Sequence, residues 1–211
     1  MARLLIAGAT GLVGGLALDL ALADPRVERV IALTRRSIAA HHDKLENVVI
    51  DFADMPADAA WWSVDGVISA LGTTRAKTQS PADYRTIDYD YPLAIARHAH
   101  AHGATRLALV SSLGADRHSR FAYTRLKGEL ESAVATLGYP SLSLLRPSMI
   151  DGPRADERAG EGTITSVFRL LGPVLPRKWR ISPAGTIAAA LLDAAIAGRP
   201  GLHVMHNEDM G

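Results

Sequence analysis

Seven short apolar runs alternate with segments of helical period, and that alternation most narrows what this chain can fold into. The runs are RLLIAG (3–8), RVIALT (29–34), NVVID (47–51), DGVISAL (65–71), RLALVSS (106–112), SLSLLRP (141–147) and, more weakly, GLHVM (201–205). Helical patterns fill 12–23, 83–102, 122–137 and 184–197. Continuously apolar strands separated by helices imply a parallel sheet buried on both faces. Right-handed crossovers then give a doubly wound α/β domain of Rossmann type. At 211 residues the chain fits one such domain. Pro92 should kink or divide the helix around 83–102. The Gly-, Pro- and Arg-rich stretch 151–182 follows a late strand, so it reads either as an insertion on the substrate side of the sheet or as a surface excursion.

The charge balance removes several classes of partner. Lys and Arg number 23 against 22 Asp and Glu, a net charge of +1, which argues for neither nucleic acid nor membrane. No cysteine is present, so disulfides, thiolate metal sites and a cysteine nucleophile are excluded. A reducing cytoplasmic location is the expectation from that usage. Ala21-Leu22-Ala23 imitates a signal-peptide cleavage site, but Asp19 interrupts the apolar run before it. The N-terminal segment therefore reads as a first strand and helix.

Between that strand and helix lie Gly8, Gly11 and Gly14, in G-A-T-G-L-V-G. Glycine permits a tight turn and a close backbone approach to pyrophosphate, which the helix N-terminus attracts with free N–H groups. The spacing G-x-x-G-x-x-G is one residue wider at the front than the dinucleotide fingerprint. NAD-preferring sites carry an acid about twenty residues on, for the ribose 2′-hydroxyl. Here the second strand ends in Thr34, followed by Arg35 and Arg36. Paired guanidinium groups suit a 2′-phosphate, so NADP (as NADPH) is the expected cofactor. Asp51 and Phe52 close the third strand, where a carboxylate and a ring could border adenine. Leu71 and Gly72 follow the fourth, where small residues let the chain pass close to the cofactor.

The stretch FAYTRLKGELE (121–131) places Tyr123 and Lys127 four residues apart, on one face of a helix. A free phenol, with a pKa of about 10, is a poor acid–base catalyst at neutral pH. A neighbouring cation favours the phenolate and brings the group towards its working range. Ser111 and Ser112 end the fifth strand about a dozen residues upstream, so a serine hydroxyl can reach the same edge.

This constellation resembles the short-chain dehydrogenase/reductase superfamily, whose signature is Ser with Tyr-x-x-x-Lys on a Rossmann fold. It is most similar to the atypical Tat-interacting-protein type, small NADPH-binding proteins grouped with NmrA-like domains. The similar stretches are GATGLVG (8–14), LTRR (33–36), LGTTR (71–75), VSSLGAD (110–116), YTRLKGELE (123–131) and LLRPSMIDGPR (144–154). The resemblance implies that Gly8, Thr10, Gly11, Leu12, Val13 and Gly14 hold the pyrophosphate, and Arg35 and Arg36 the 2′-phosphate. Pro147, Met149 and Ile150 would lie beside the nicotinamide. Tyr123 would be the general acid–base, Lys127 its tuner and ribose contact, and Ser112 the substrate anchor, since the superfamily usually uses the second of two such serines. The implied activity is reduction of a small carbonyl or quinone-like substrate, or the reverse oxidation, in a protein that could act as a homodimer. The rival expectation is a redox sensor that binds NADP(H) without turnover and signals through a protein partner. A methyltransferase would need an acid in place of Thr34-Arg35-Arg36, and a sugar-nucleotide epimerase a larger substrate domain.

His98, His100 and His102 sit at a helix end, where the dipole accounts for imidazoles, and no metal site is expected there. His41-His42 lies in a polar loop and implies no metal either. Trp61-Trp62 is read as packing, since base stacking would need a basic surface.

Overall fold

The computed structural model describes residues 1–73, 80–151 and 181–210. A seven-stranded parallel sheet forms its centre. In chain order the elements are β1 (Ala2–Ala7), α1 (Leu12–Ala23), β2 (Val27–Thr34), β3 (Leu45–Val49), β4 (Gly66–Ser69), α2 (Pro81–Arg85), α3 (Tyr91–Ala101), β5 (Arg106–Val110), α4 (Ala122–Ala135) and β6 (Ser141–Arg146). They are followed by β7 (Ile150–Asp151), β8 (Ser182–Pro183), α5 (Ala184–Ala197) and β9 (Gly201–His206). The sheet order is β3-β2-β1-β4-β5-β6-β9, with every pairing parallel, and β7 pairs with β8 separately. This is a single α/β domain of Rossmann type, as the alternation of runs implies.

Each strand of the centre serves two cores. Leu4 and Ile6 of β1 turn towards α1 and α5, into a cluster with Ala17, Leu18, Ile187 and Leu191. Leu5 and Ala7, one residue out of phase, join Ile95, Ala99, Leu130 and Val134 of α3 and α4 on the other face. Two buried faces explain why β1 and β4 read as unbroken apolar runs. β3 is half-buried and begins two residues before the expected run, because it is an edge strand with only β2 beside it. Among the described residues no helix is long and apolar enough to cross a membrane.

Pro92 divides the second helical segment, 83–102, as expected, in a specific way. Residues Thr86–Asp90 form a π-helical turn between α2 and α3, and Pro92 stands in the first turn of α3. Proline has no N–H to donate to the carbonyl four residues back, which belongs to Asp88. The wider turn absorbs that missing bond and brings Asp88 inward, where it is 1% exposed.

The histidines of α3 are occupied in packing. His98 stacks on the buried Trp62 ring at 5.0 Å, and burial holds its pKa below the ordinary 6.5. His100 packs on Tyr139, and the His102 Nδ1 lies 2.8 Å from the His98 carbonyl. Tyr139 donates its hydroxyl to the Ala96 carbonyl at 2.7 Å, and burial pushes its phenol up, keeping it neutral.

Gly66 marks where α5 lies closest to the sheet. A Cβ there would meet the Ala195 carbonyl oxygen at 2.6 Å and Leu4 Cδ2 at 3.1 Å. Gly66→Ala is therefore expected to cost about 1–3 kcal/mol by overpacking, seen as a Tm several degrees lower.

Candidate active site and cofactor cleft

The carboxyl ends of β1 and β4 diverge at the switch in strand order, and the glycine turn closes one side of that crevice. Gly8 has φ +89°, and a Cβ on it would lie 2.5 Å from the Ala70 oxygen and 2.8 Å from the Leu71 nitrogen. A Cβ at Gly14 would fall 2.1 Å from the Gly8 oxygen. Both glycines are thus needed for packing among β1, α1 and the end of β4. Gly11 occupies the capping position of α1 and donates to the Gly8 carbonyl at 2.9 Å. No side chain caps the helix, and Thr10 and Gly11 are exposed beside its first turn. Leu12 is half-buried and Val13 buried, so at this turn the backbone of the loop and helix start is what a ligand meets.

At the ends of β2 and β3, a shallow open pocket is lined by Arg35, Val49, Ile50 and Asp51. Arg35 and Arg36 are exposed, and neither has an ion-pair partner among the described residues. Thr34, standing where an acid would select a 2′-hydroxyl, is buried and accepts a 2.7 Å hydrogen bond from Asn47 Nδ2. The Asn47 oxygen accepts from the Ile38 N–H at 2.8 Å, bracing the turn that carries both arginines. Asn47 was not legible as a site-shaping residue in the sequence. Of the expected adenine-bordering pair, Asp51 lines the pocket, whereas Phe52 is buried in the core, its ring 5.7 Å from Tyr91.

The two serines of the fifth run separate clearly. Ser111 Oγ donates to Glu131 Oε1 at 2.5 Å, and Arg146 holds the same carboxylate with both forks, at 2.9 and 2.5 Å. Glu131 keeps the Arg146 guanidinium firmly charged by raising its pKa. Ser111 is therefore committed to a buried brace between β5, α4 and β6. Among the described residues the Ser112 hydroxyl bonds to the adjacent Leu113 carbonyl, at 3.2 Å. Leu113 N–H donates to the Pro147 carbonyl at 2.8 Å, tying this loop to the end of β6. Pro147 is buried, Met149 exposed and Ile150 half-buried.

Tyr123 lies in the first turn of α4 and is 47% exposed. Lys127, one turn on, is buried, and its ammonium lies 2.9 Å from Asp88 Oδ1. The other Asp88 oxygen accepts the Thr73 N–H at 2.8 Å. Gly72 lies over the pair: a Cβ there would be 3.3 Å from Asp88 Oδ1 and 3.9 Å from Lys127 Nζ. Asp88, absent from the expected site, is the most important residue that the pattern concealed. Gly128 follows Lys127 because a Cβ there would stand 2.3 Å from Arg117 N and Asp116 C, where the 113–120 loop crosses the helix. The 151–182 insertion falls outside the described residues except at its two ends, which β7 and β8 pair together.

The model of an NAD(P)H-binding family matches residues 8–137, from the glycine turn through α4. The chain belongs to that NAD(P)H-binding family. Family relatives include the protein named fmp52, mitochondrial, of Emericella nidulans, 35% identical over 82% of this chain and 78% of its own. The protein of the same name from Aspergillus niger is 31% identical, over 100% of this chain and 97% of its own. These relatives correct the expected cytoplasmic location, because they are named as mitochondrial proteins. Among solved structures, MoeE5 in complex with UDP-glucuronic acid and NAD superposes with a TM-score of 0.73 at 16% identity, over 96% of this chain and 75% of that one. The oxidoreductase ylbE from Lactococcus lactis gives 0.66 at 14% identity, over 99% and 94%. At these identities the structures show the shared fold alone.

Removal of the Ser111 hydroxyl leaves a buried carboxylate short of one donor. Ser111→Ala should lose about 1.5–3 kcal/mol of stability in chemical denaturation, while Ser112→Ala stays within about 0.5 kcal/mol of the native protein.

Proposed function

We propose that the protein is an NADPH-dependent oxidoreductase of the atypical short-chain dehydrogenase type, in its Tat-interacting-protein branch. The reading assigns it a small carbonyl or quinone-like substrate and Tyr123 as proton donor. The observation that carries it is the pairing of an exposed phenol with a buried ammonium one helical turn away, on the sheet edge that bears the glycine turn.

The residues present fit the cofactor. An uncapped helix N-terminus suits a pyrophosphate, and Arg35 at a shallow pocket with Arg36 next to it, neither ion-paired among the described residues, suits a ribose 2′-phosphate. The arginines, and a threonine where an acid would stand, support NADP over NAD. Gly72 leaves the Lys127 ammonium uncovered by any side chain of its own, so a ribose hydroxyl can approach it.

NADPH held by the glycine turn, Arg35 and Arg36 would supply the hydride that a carbonyl carbon takes up. Tyr123 Oη gives its proton to the carbonyl oxygen, and its exposure allows the substrate to reach it directly. Lys127 stabilises the tyrosinate left behind, through its charge and through the ribose hydroxyls it holds. Ser112, free of the Glu131 brace, donates to the substrate oxygen and fixes its distance from Tyr123. The 113–120 loop and the 151–182 insertion shape the substrate side. A pure sensor would have no use for a phenol presented in this way, which favours turnover.

NADPH oxidation against a panel of aldehydes, ketones and quinones tests the reading. Native protein should turn over at least one of them, and Tyr123→Phe should lower kcat by about 100-fold or more with NADPH affinity retained. Equal turnover by the variant would remove Tyr123 from the mechanism.

A further inference from the structure

We propose that Asp88 is the positioning residue for Lys127, fixing its ammonium under Gly72 so that it meets the ribose of the cofactor. This rests on the cofactor reading above. The Lys127 and Asp88 side chains are 6% and 2% exposed, so neither charge has water to fall back on. A buried ammonium without a partner costs several kcal/mol, and an isolated carboxylate costs as much. The 2.9 Å contact between them therefore dictates where the lysine stands.

Asp88 is itself held from two sides. Its second oxygen takes the Thr73 N–H, in the segment that continues from β4 past Gly72. Its backbone belongs to the π-helical turn that precedes Pro92. Such turns place a side chain where a regular helix would not, and they recur at functional sites. One carboxylate thus links the loop along the cofactor's path to the lysine of α4. The neighbouring acid of α4, Glu131, and Arg146 at the end of β6 satisfy each other and leave Asp88 as the carboxylate on Lys127 among the described residues. The alternative is that Asp88 only neutralises a buried charge and supports folding.

A double-mutant cycle on NADPH affinity separates the two. Dissociation constants are measured by fluorescence titration for native protein, Asp88→Asn, Lys127→Met and the charge-neutral double variant, with thermal melting in parallel. If Asp88 acts through Lys127, each single variant should weaken NADPH binding about tenfold. The double variant should then match Lys127→Met to within about twofold. Native-like affinity in Asp88→Asn, with only its melting temperature lowered, would overturn the proposal. So would independent losses that multiply in the double variant. Should Asp88→Asn fail to fold, the double variant against Lys127→Met still decides, since a further loss there contradicts a role through the lysine. Failure of the native protein to bind NADPH would instead bring down the cofactor reading, and this inference with it.

Discussion

The contact on which the whole site depends is the one between the glycine turn and the end of β4. The Gly8 oxygen occupies the place of a side chain at position 14, and Ala70 and Leu71 occupy the place of a side chain at position 8. Backbone meets backbone there with nothing between. That closeness sets α1 with its N-terminus at the mouth of the crevice and carries the β4 extension across it towards Gly72. Any side chain at either glycine would part these elements, because the obstructing atoms are main chain and cannot rotate aside.

From that fixed corner the polar groups of the interior divide into two sets. The side chains of Ser111, Glu131 and Arg146 bond to one another in a brace that locks α4 against β5 and β6. Lys127 and Asp88 form a second, buried one, with a glycine beside them where a larger residue would press on the carboxylate. Both contain opposite charges on α4 and a neighbouring element. Braces of this kind are costly to break and contribute specificity of packing.

The architecture was legible because its signal is repeated seven times: each buried strand needs an apolar run, and each crossover a helix. The helices at 12–23 and 184–197 match their sequence patterns to the residue, as Gly11 and Gly198 stand at their ends. The glycine turn ahead of α1, and the placing of Tyr123 and Lys127 one turn apart on α4, could be read because they depend on local spacing. Asp88 could not, since IDYD looks like the solvated face of a helix until a π-turn rotates one acid inward. The burial of Phe52 was hidden for a related reason: a ring at a strand end is drawn into the core when an aromatic partner such as Tyr91 lies beneath. Ser111 and Ser112 were indistinguishable in sequence, because the pleat that turns one towards Glu131 is a property of the sheet. Location was misjudged from cysteine usage, which reports redox conditions and not an address.

An all-parallel sheet also sorts the surface into two kinds of ground. The exposed ion pairs Arg3–Asp65, Arg29–Glu46 and Arg26 with Asp24 and Asp193 cluster at the amino edge, away from the glycine turn and the serines. Exposed pairs contribute little individually and tolerate replacement. Drift can therefore accumulate on that edge at low cost in fold and none in chemistry, while the opposite edge is held to its glycines and buried charges. A lineage built on this plan can diverge widely in overall identity and still keep one constant rim.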